Sequence, residues 1–285
     1  MIWLPLALIT AFSLSTADAL SKKALDGTED IVIVWVREGY SLPFLAIGLL
    51  FVPIPELDIA FYLTVASLIP LEIAALVLYV KAIKLSPLSL TIPFLALSPV
   101  FIMVIAFFTL GERPSLAGLS GVALITAGAY TLNARAAEAG LLGPLRAIAK
   151  ERGSLLMIAV AIIYSVTSTL GKVALLHSSP VFFGFFYPFV LTAVLTVFLM
   201  ARGKLHLVFS RPKVFLPIGL FSALMIITHF AALGLTQVAY MISVKRTSLL
   251  FSILYGRLLF GEENIRERLA GGAMMLAGVA LIAIF

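Results

Sequence analysis

The segment GERPSLAGLSGVALITAG at 111–128 and the segment GEENIRERLAGGAMMLAG at 261–278 follow one pattern, 150 residues apart. Gly111-Glu112 answers Gly261-Glu262, and Leu119, Gly121, Ala123, Ala127 and Gly128 answer Leu269, Gly271, Ala273, Ala277 and Gly278. Moving outward, the offset holds. Ser98 and Phe101 pair with Ser248 and Phe251; Ser15, Leu20, Lys22, Ala24 and Leu25 pair with Ser165, Leu170, Lys172, Ala174 and Leu175. The chain is therefore two copies of one unit.

Each copy is built of apolar runs. Of the 285 residues, 62% are hydrophobic and 12% charged, where a soluble domain carries about 45–50% apolar and about 25% charged residues. The mean hydropathy is +1.14. A bilayer-spanning helix needs about 20 apolar residues, and ten runs approach that length: 2–21, 31–52, 59–80, 87–110, 115–134, 154–176, 180–201, 213–235, 237–260 and 268–285. They lack the strict alternation of barrel strands, so helices are predicted. The first run resembles a cleavable leader at Ala17-Asp18-Ala19, but no basic residue precedes it and it recurs at the offset, which predicts a span.

Five spans per copy is an odd number, so the second copy runs inverted through the membrane. The expectation is an all-α integral membrane protein of ten transmembrane helices. The first repeat is 1–134, a polar linker is 135–153 (with Arg135, Arg146, Lys150 and Arg152), and the second repeat is 154–285. Inverted repeats are characteristic of secondary transporters, whose site lies at the repeat interface near the midplane. Prolines at 43, 70, 188 and above all 93 and 99 predict kinked or broken helices beside a cavity.

The formal net charge is +6, which in a membrane protein points to cytoplasmic loops and not to nucleic acid. Lys23, Lys81, Lys84, Arg202, Lys204, Arg211, Lys213, Arg266, Arg268 and the linker cations share one side, with Arg113 on the other. By the positive-inside rule both termini are then external. There is no cysteine, so no disulfide and no Cys-based zinc site. HExxH, G-x-S-x-G, P-loop and dinucleotide motifs are missing, and three scattered histidines make no metal site. No enzyme activity, metal or cofactor is expected.

Charges inside spans cost about 2.5–3.5 kcal/mol each on insertion scales and so point to function. They are Asp18, Lys22, Arg37, Glu72, Lys172, Lys245, Arg246 and Arg257. Lys245 and Arg246 are adjacent, deep in the ninth span, and suit a phosphate or carboxylate; the competing reading is an internal ion pair with Asp18 or Glu72. Lys22 and Lys172 are repeat-related and read as substrate or gate cations, or as snorkelling lysines. Asp18 lies one turn before Lys22, where it can pair with it. Glu72, Asp18 and His229 are the candidate proton-coupling groups, and Glu72 also has Arg37 or Lys245 as a possible partner. Tyr79, Tyr164, Tyr187, Tyr240 and Tyr255 offer hydroxyls and ring faces to a cavity, or form interfacial belts; Tyr240 is the one expected to assist at the site, and helices four and nine are expected to flank the pathway.

The ten-helix duplicated plan resembles the drug/metabolite transporter superfamily, specifically its EamA-like members. So do Ser-Thr-Leu-Gly-Lys at 168–172, the two Gly-Glu pairs and the segment 243–246. The Lys245-Arg246 pair is similar to the phosphate-binding pair of triose-phosphate transporters. Lys22-Lys23 resembles the Asn-Lys-Lys pattern of sugar-phosphate and nucleotide-sugar carriers, with the asparagine replaced. Members of the superfamily usually have cytoplasmic termini, from which the charge count departs. The resemblance implies a multi-pass transporter of the cytoplasmic (inner) membrane that moves a small, anionic organic metabolite by alternating access. Its partners are the substrate and the lipid bilayer, and it is a monomer or a homodimer. The alternative is a proton-coupled exporter of amino acids or of cationic, lipophilic compounds.

Overall fold

A computed structural model describes residues 2–49, 52–111, 113–131, 150–262 and 265–284. The described part of the linker is short: Arg135, Arg146, Gly140, Gly143 and Pro144 lie outside it, as does Glu112. In chain order the helices are α1 (Trp3–Ala24), α2 (Asp30–Gly39), α3 (Leu42–Leu49), α4 (Ile59–Leu85), α5 (Leu88–Thr91), a 3-10 segment (Ile92–Leu97), α6 (Ser98–Leu110) and α7 (Leu116–Thr131). The second half adds α8 (Arg152–Leu176), α9 (Pro180–Ala201), α10 (Pro212–Leu235), α11 (Val238–Lys245), α12 (Ser248–Phe260) and α13 (Ile265–Ile284). No strand occurs among the described residues.

Local chemistry sets the helix ends. Asp58 caps α4 by accepting from the Phe61 N–H at 2.9 Å, and Ser179 caps α9 from the Phe182 N–H at 3.1 Å. Pro180 and Pro212 open α9 and α10, where a missing N–H costs nothing. Gly111 and Gly261, equivalent in the repeat, both follow a span with φ of 65° and 64°, a left-handed turn that glycine adopts freely.

The described parts of the ten apolar runs are helical, and among the described residues α1, α4, α8, α9 and α10 are each long and apolar enough to cross a bilayer alone. The second span is broken between Gly39 and Leu42, and the fourth and ninth are broken too. In the fourth, the backbone tightens into the 3-10 segment across Pro93 before α6 starts at Ser98. In the ninth, α11 ends at Lys245 and α12 starts at Ser248, with no proline between them. There the Thr247 N–H reaches back only three residues, to the Val244 carbonyl at 3.0 Å, and the Thr247 hydroxyl takes the same carbonyl at 2.8 Å.

The halves are interleaved. α1 packs along α10 and α4 along α8, so each half sets its first long helix against the third span of the other; α7 packs along α13. Lipid is as apolar as leucine, so such contacts rest on close approach of small residues. A Cβ added at Gly128 would lie 2.5 Å from the Gly271 carbonyl oxygen, and one at Gly278 would lie 2.6 Å from that of Gly121. These are the same contact seen from each copy. Large apolar side chains such as Phe108, Leu116 and Leu258 face outward, as lipid requires.

Candidate functional site

A cavity of about 1000 Å³, counted with its open mouth, lies between the halves. Repeat-equivalent residues line it from both sides: Glu72 and Ser222, Tyr79 and His229, Arg37 and Tyr187. The space therefore sits on the pseudo-two-fold axis. Glu72 is near the centre of the 27-residue α4, roughly 20 Å along it at 1.5 Å per residue, so the cavity lies about midway along that helix. Its walls are symmetric in position and asymmetric in chemistry.

Lys245 and Arg246 reach the cavity from the break in the ninth span. An interrupted helix leaves carbonyls and N–H groups without helical partners, which is why such breaks occur where protein lines a polar space. Arg246, 2% exposed, donates from Nε and Nη2 to the Ser98 hydroxyl at 3.0 and 2.7 Å. Ser98 is the first residue of α6, so this bond joins the break of the ninth span to that of the fourth. The described fourth span adds no wall residue of its own. Of the two spans expected to flank the pathway, the ninth forms the wall and the fourth anchors it. Lys245 Nζ lies 3.5 Å from His229 Nδ1. Glu72 faces Thr167 of α8 and lies within electrostatic reach of Lys245. Lys245, Arg246, Glu72 and His229 thus meet in one cavity.

Other predicted site residues lie elsewhere. Asp18 does not pair with Lys22. Its Oδ1 accepts from Arg37 Nη1 at 2.7 Å and its Oδ2 from the Tyr79 hydroxyl at 2.5 Å, with Asp18 1% exposed. Lys22 instead donates to the carbonyls of Ile83 and Ser86 at 2.8 and 2.7 Å, and Lys172 donates to those of Leu233 and Thr236 at 2.7 and 3.1 Å. The two lysines cap the C-termini of α4 and α10 at positions related by the repeat. The last carbonyls of a helix lack partners and attract a cation, whereas Asp18 is already satisfied by Arg37 and Tyr79. Tyr240 is outside the cavity too: its hydroxyl accepts from the Ser115 N–H at 2.8 Å and rests against Gly118 at the start of α7.

Of the tyrosines offered to a cavity, Tyr79, Tyr164 and Tyr187 line this one; polar wall residues that escaped the sequence reading include Glu38, Thr167 and Ser222. Glu38 carried a readable signal, a carboxylate within the apolar run 31–52. The hydroxyls of Thr167 and Ser222 carried none, because serines and threonines recur throughout the spans.

Polar ties between the halves gather at one end of the bundle. Glu262 accepts from the N–H groups of Leu88 and Ser89 at 3.1 and 3.3 Å, from the Ser89 hydroxyl, and from Arg268 at 3.2 Å. Lys204 pairs with Glu29 at 2.5 Å, and Arg211 donates to the Asp26 carbonyl at 3.0 Å. Glu151 accepts from the Ser86 hydroxyl and from Ser154. Its burial alone would raise its pKa, and these hydrogen bonds outweigh that and lower it. At the other end Asp58 meets His177 at 2.7 Å; the Phe61 N–H and the His177 contact hold the Asp58 carboxyl below the usual range.

This is the fold of a membrane transporter made of two inverted repeats. The model of the EamA-like transporter family matches residues 1–134 and 151–284, and the chain belongs to that family. Comparison with curated proteins gives no match. A solved structure described as "Crystal structure of protein" is 16% identical, with a TM-score of 0.67 over 98% of this chain and 94% of that one; it supports the fold alone.

Proposed function

We propose that the protein is a secondary transporter of the inner membrane. By this reading it moves a small organic metabolite with an anionic group, by alternating access around the central cavity, as a monomer or homodimer. One observation carries the reading: half-buried Lys245 and buried Arg246 stand at a helix break, line the cavity and make no ion pair within 4.0 Å among the described residues. Charges taken from water are costly unless paired, and an anionic substrate completes them. Arg246 is already oriented by Ser98, so little side-chain freedom is lost on binding.

The test is thermal stability in detergent with phosphorylated sugars, nucleotide sugars, carboxylates, amino acids and amines. A ligand that binds only the folded protein raises its Tm with occupancy. Anionic ligands are expected to stabilise the wild type, and Lys245→Ala should weaken them about 10- to 100-fold, the worth of one charge-assisted hydrogen bond. Shifts given only by amines, and kept in Lys245→Ala, would overturn the reading in favour of a proton-coupled exporter using Glu72.

A further inference from the structure

Phe230 of α10 lines the cavity and also a smaller groove of about 280 Å³, counted with its opening, at the seam between α9 and α10. Every residue lining the groove is apolar. Val181 and Ile227 on its rim are 49% and 39% exposed, and both helices are long and apolar enough to cross the bilayer. The groove therefore opens onto lipid hydrocarbon, and one side chain borders both the membrane and the cavity. Gly184 lies four residues from the start of α9 and Phe230 five from the end of α10, about 6–8 Å below the helix ends at 1.5 Å per residue. That depth is just beneath the headgroups.

The seam is built around that ring. It meets Phe183 of the cavity wall edge-on, with centroids 5.1 Å apart, and a Cβ added at Gly184 would lie 3.1 Å from Phe230. A Cβ added at Gly234 would lie 2.6 Å from Pro180. The repeat-related seam, between α2 and α4, is closed by other means. Val34 answers Gly184 and Val80 answers Phe230, and both valines are fully buried. Asp30 answers Pro180 and Lys84 answers Gly234, and these two form an ion pair. One seam is thus filled by β-branched side chains, which are stiff at χ1, and tied by charge. Its counterpart carries an aromatic ring over a glycine instead. Turning one side chain opens the second seam, whereas opening the first requires two helices to part.

We propose that the α9–α10 seam is a side entrance latched by Phe230, through which a lipophilic solute passes between the bilayer and the cavity. It rests on the cavity being the transport path. Joined to the anion reading above, it narrows the substrate to an amphiphilic acid; without that reading the entrance still stands.

The experiment is thiol labelling of the full chain in vesicles, with the His177 end outward. Gly171→Cys reports on entry: Gly171 lines the cavity, has open space beside it and stands at the same depth as Phe230, five residues from the end of α8. One reagent is N-dodecylmaleimide carried in the lipid; the other is a charged maleimide in the water outside. Both are expected to react. Gly184→Val places the residue type of the closed seam under the ring, and Ala231→Phe fills the groove from the lipid face. Each should slow the lipid-borne reagent about tenfold or more while leaving the water-borne one within about twofold. Phe230→Ala should speed the lipid-borne reagent alone. Ala231 is half-buried on the groove, so its variant carries the test should Gly184→Val not fold. A lipid-borne reagent whose rate follows the water-borne one in every variant enters by the mouth and overturns the proposal. So does a lipid-borne reagent that leaves Gly171→Cys unlabelled with and without Phe230→Ala. Failure of the anion reading looks different: Lys245→Ala then leaves the affinity for acids unchanged, while the labelling pattern persists.

Discussion

Asp18 and Arg37 are both buried, and each oxygen of Asp18 has its own donor. Removing one partner of a buried pair strands the other charge, at about 3–5 kcal/mol. Asp18→Asn is therefore expected to lower stability by that amount in a detergent melt, and Asp18→Asn with Arg37→Met by clearly less than the two single changes added. A double variant as unstable as that sum would mean that the pair carries no mutual energy. The charge of each residue was legible in the sequence; its partner was not. Helical spacing offered Lys22 to Asp18, one turn away, whereas the real neighbours stand on α2 and α4. Lys22 went instead to the unpaired carbonyls at the end of α4, a demand that arises only once α4 ends beside it. Tyr187 and Ser222 differ from other hydroxyls in the spans only by what they fail to touch, which no one-dimensional pattern records.

At the scale of the helix, the 150-residue offset was the strongest signal, because it predicts contacts as well as spans. Gly128 against Gly271 and Gly278 against Gly121 are one contact made twice. Gly128→Ala and Gly278→Ala should accordingly destabilise by similar amounts, about 1–3 kcal/mol, as overpacked interfaces do. Gly171→Ala has open space for its methyl group and should change stability by about 0.5 kcal/mol or less. Unequal effects of the first two substitutions would show that the α7–α13 contact is not shared evenly by the copies. Span ends were legible from caps and breaks in hydropathy. The interruption of the fourth span was legible from Pro93 and Pro99. That of the ninth was not, since it is made by Thr247 turning back on the Val244 carbonyl. Yet this silent break is what carries Lys245 and Arg246 to the cavity.

For the whole molecule, the two ends differ. Cavity residues Gly171 near the end of α8, Phe183 near the start of α9 and Leu233 near the end of α10 all lie toward the end that holds His177. The opposite end is drawn together by Glu262, Lys204, Arg211 and Glu151, each joining one half to the other. Hydrogen bonds to charged groups contribute about 1.5–3 kcal/mol each, enough for one of them to shift a two-state population roughly 10- to 100-fold. The chain has no cysteine, so an introduced thiol is the sole target of a membrane-impermeant maleimide in vesicles of known orientation. Gly171→Cys is expected to react readily from the His177 side and slowly from the other. Adding Glu262→Gln, which weakens the tie to Leu88, Ser89 and Arg268, should slow labelling from the His177 side about tenfold or more as the opposite end opens. Labelling that is equal from both sides would contradict the asymmetry of the ends. Labelling unchanged by Glu262→Gln would mean that the tie holds the fourth and ninth spans together without governing which end is open.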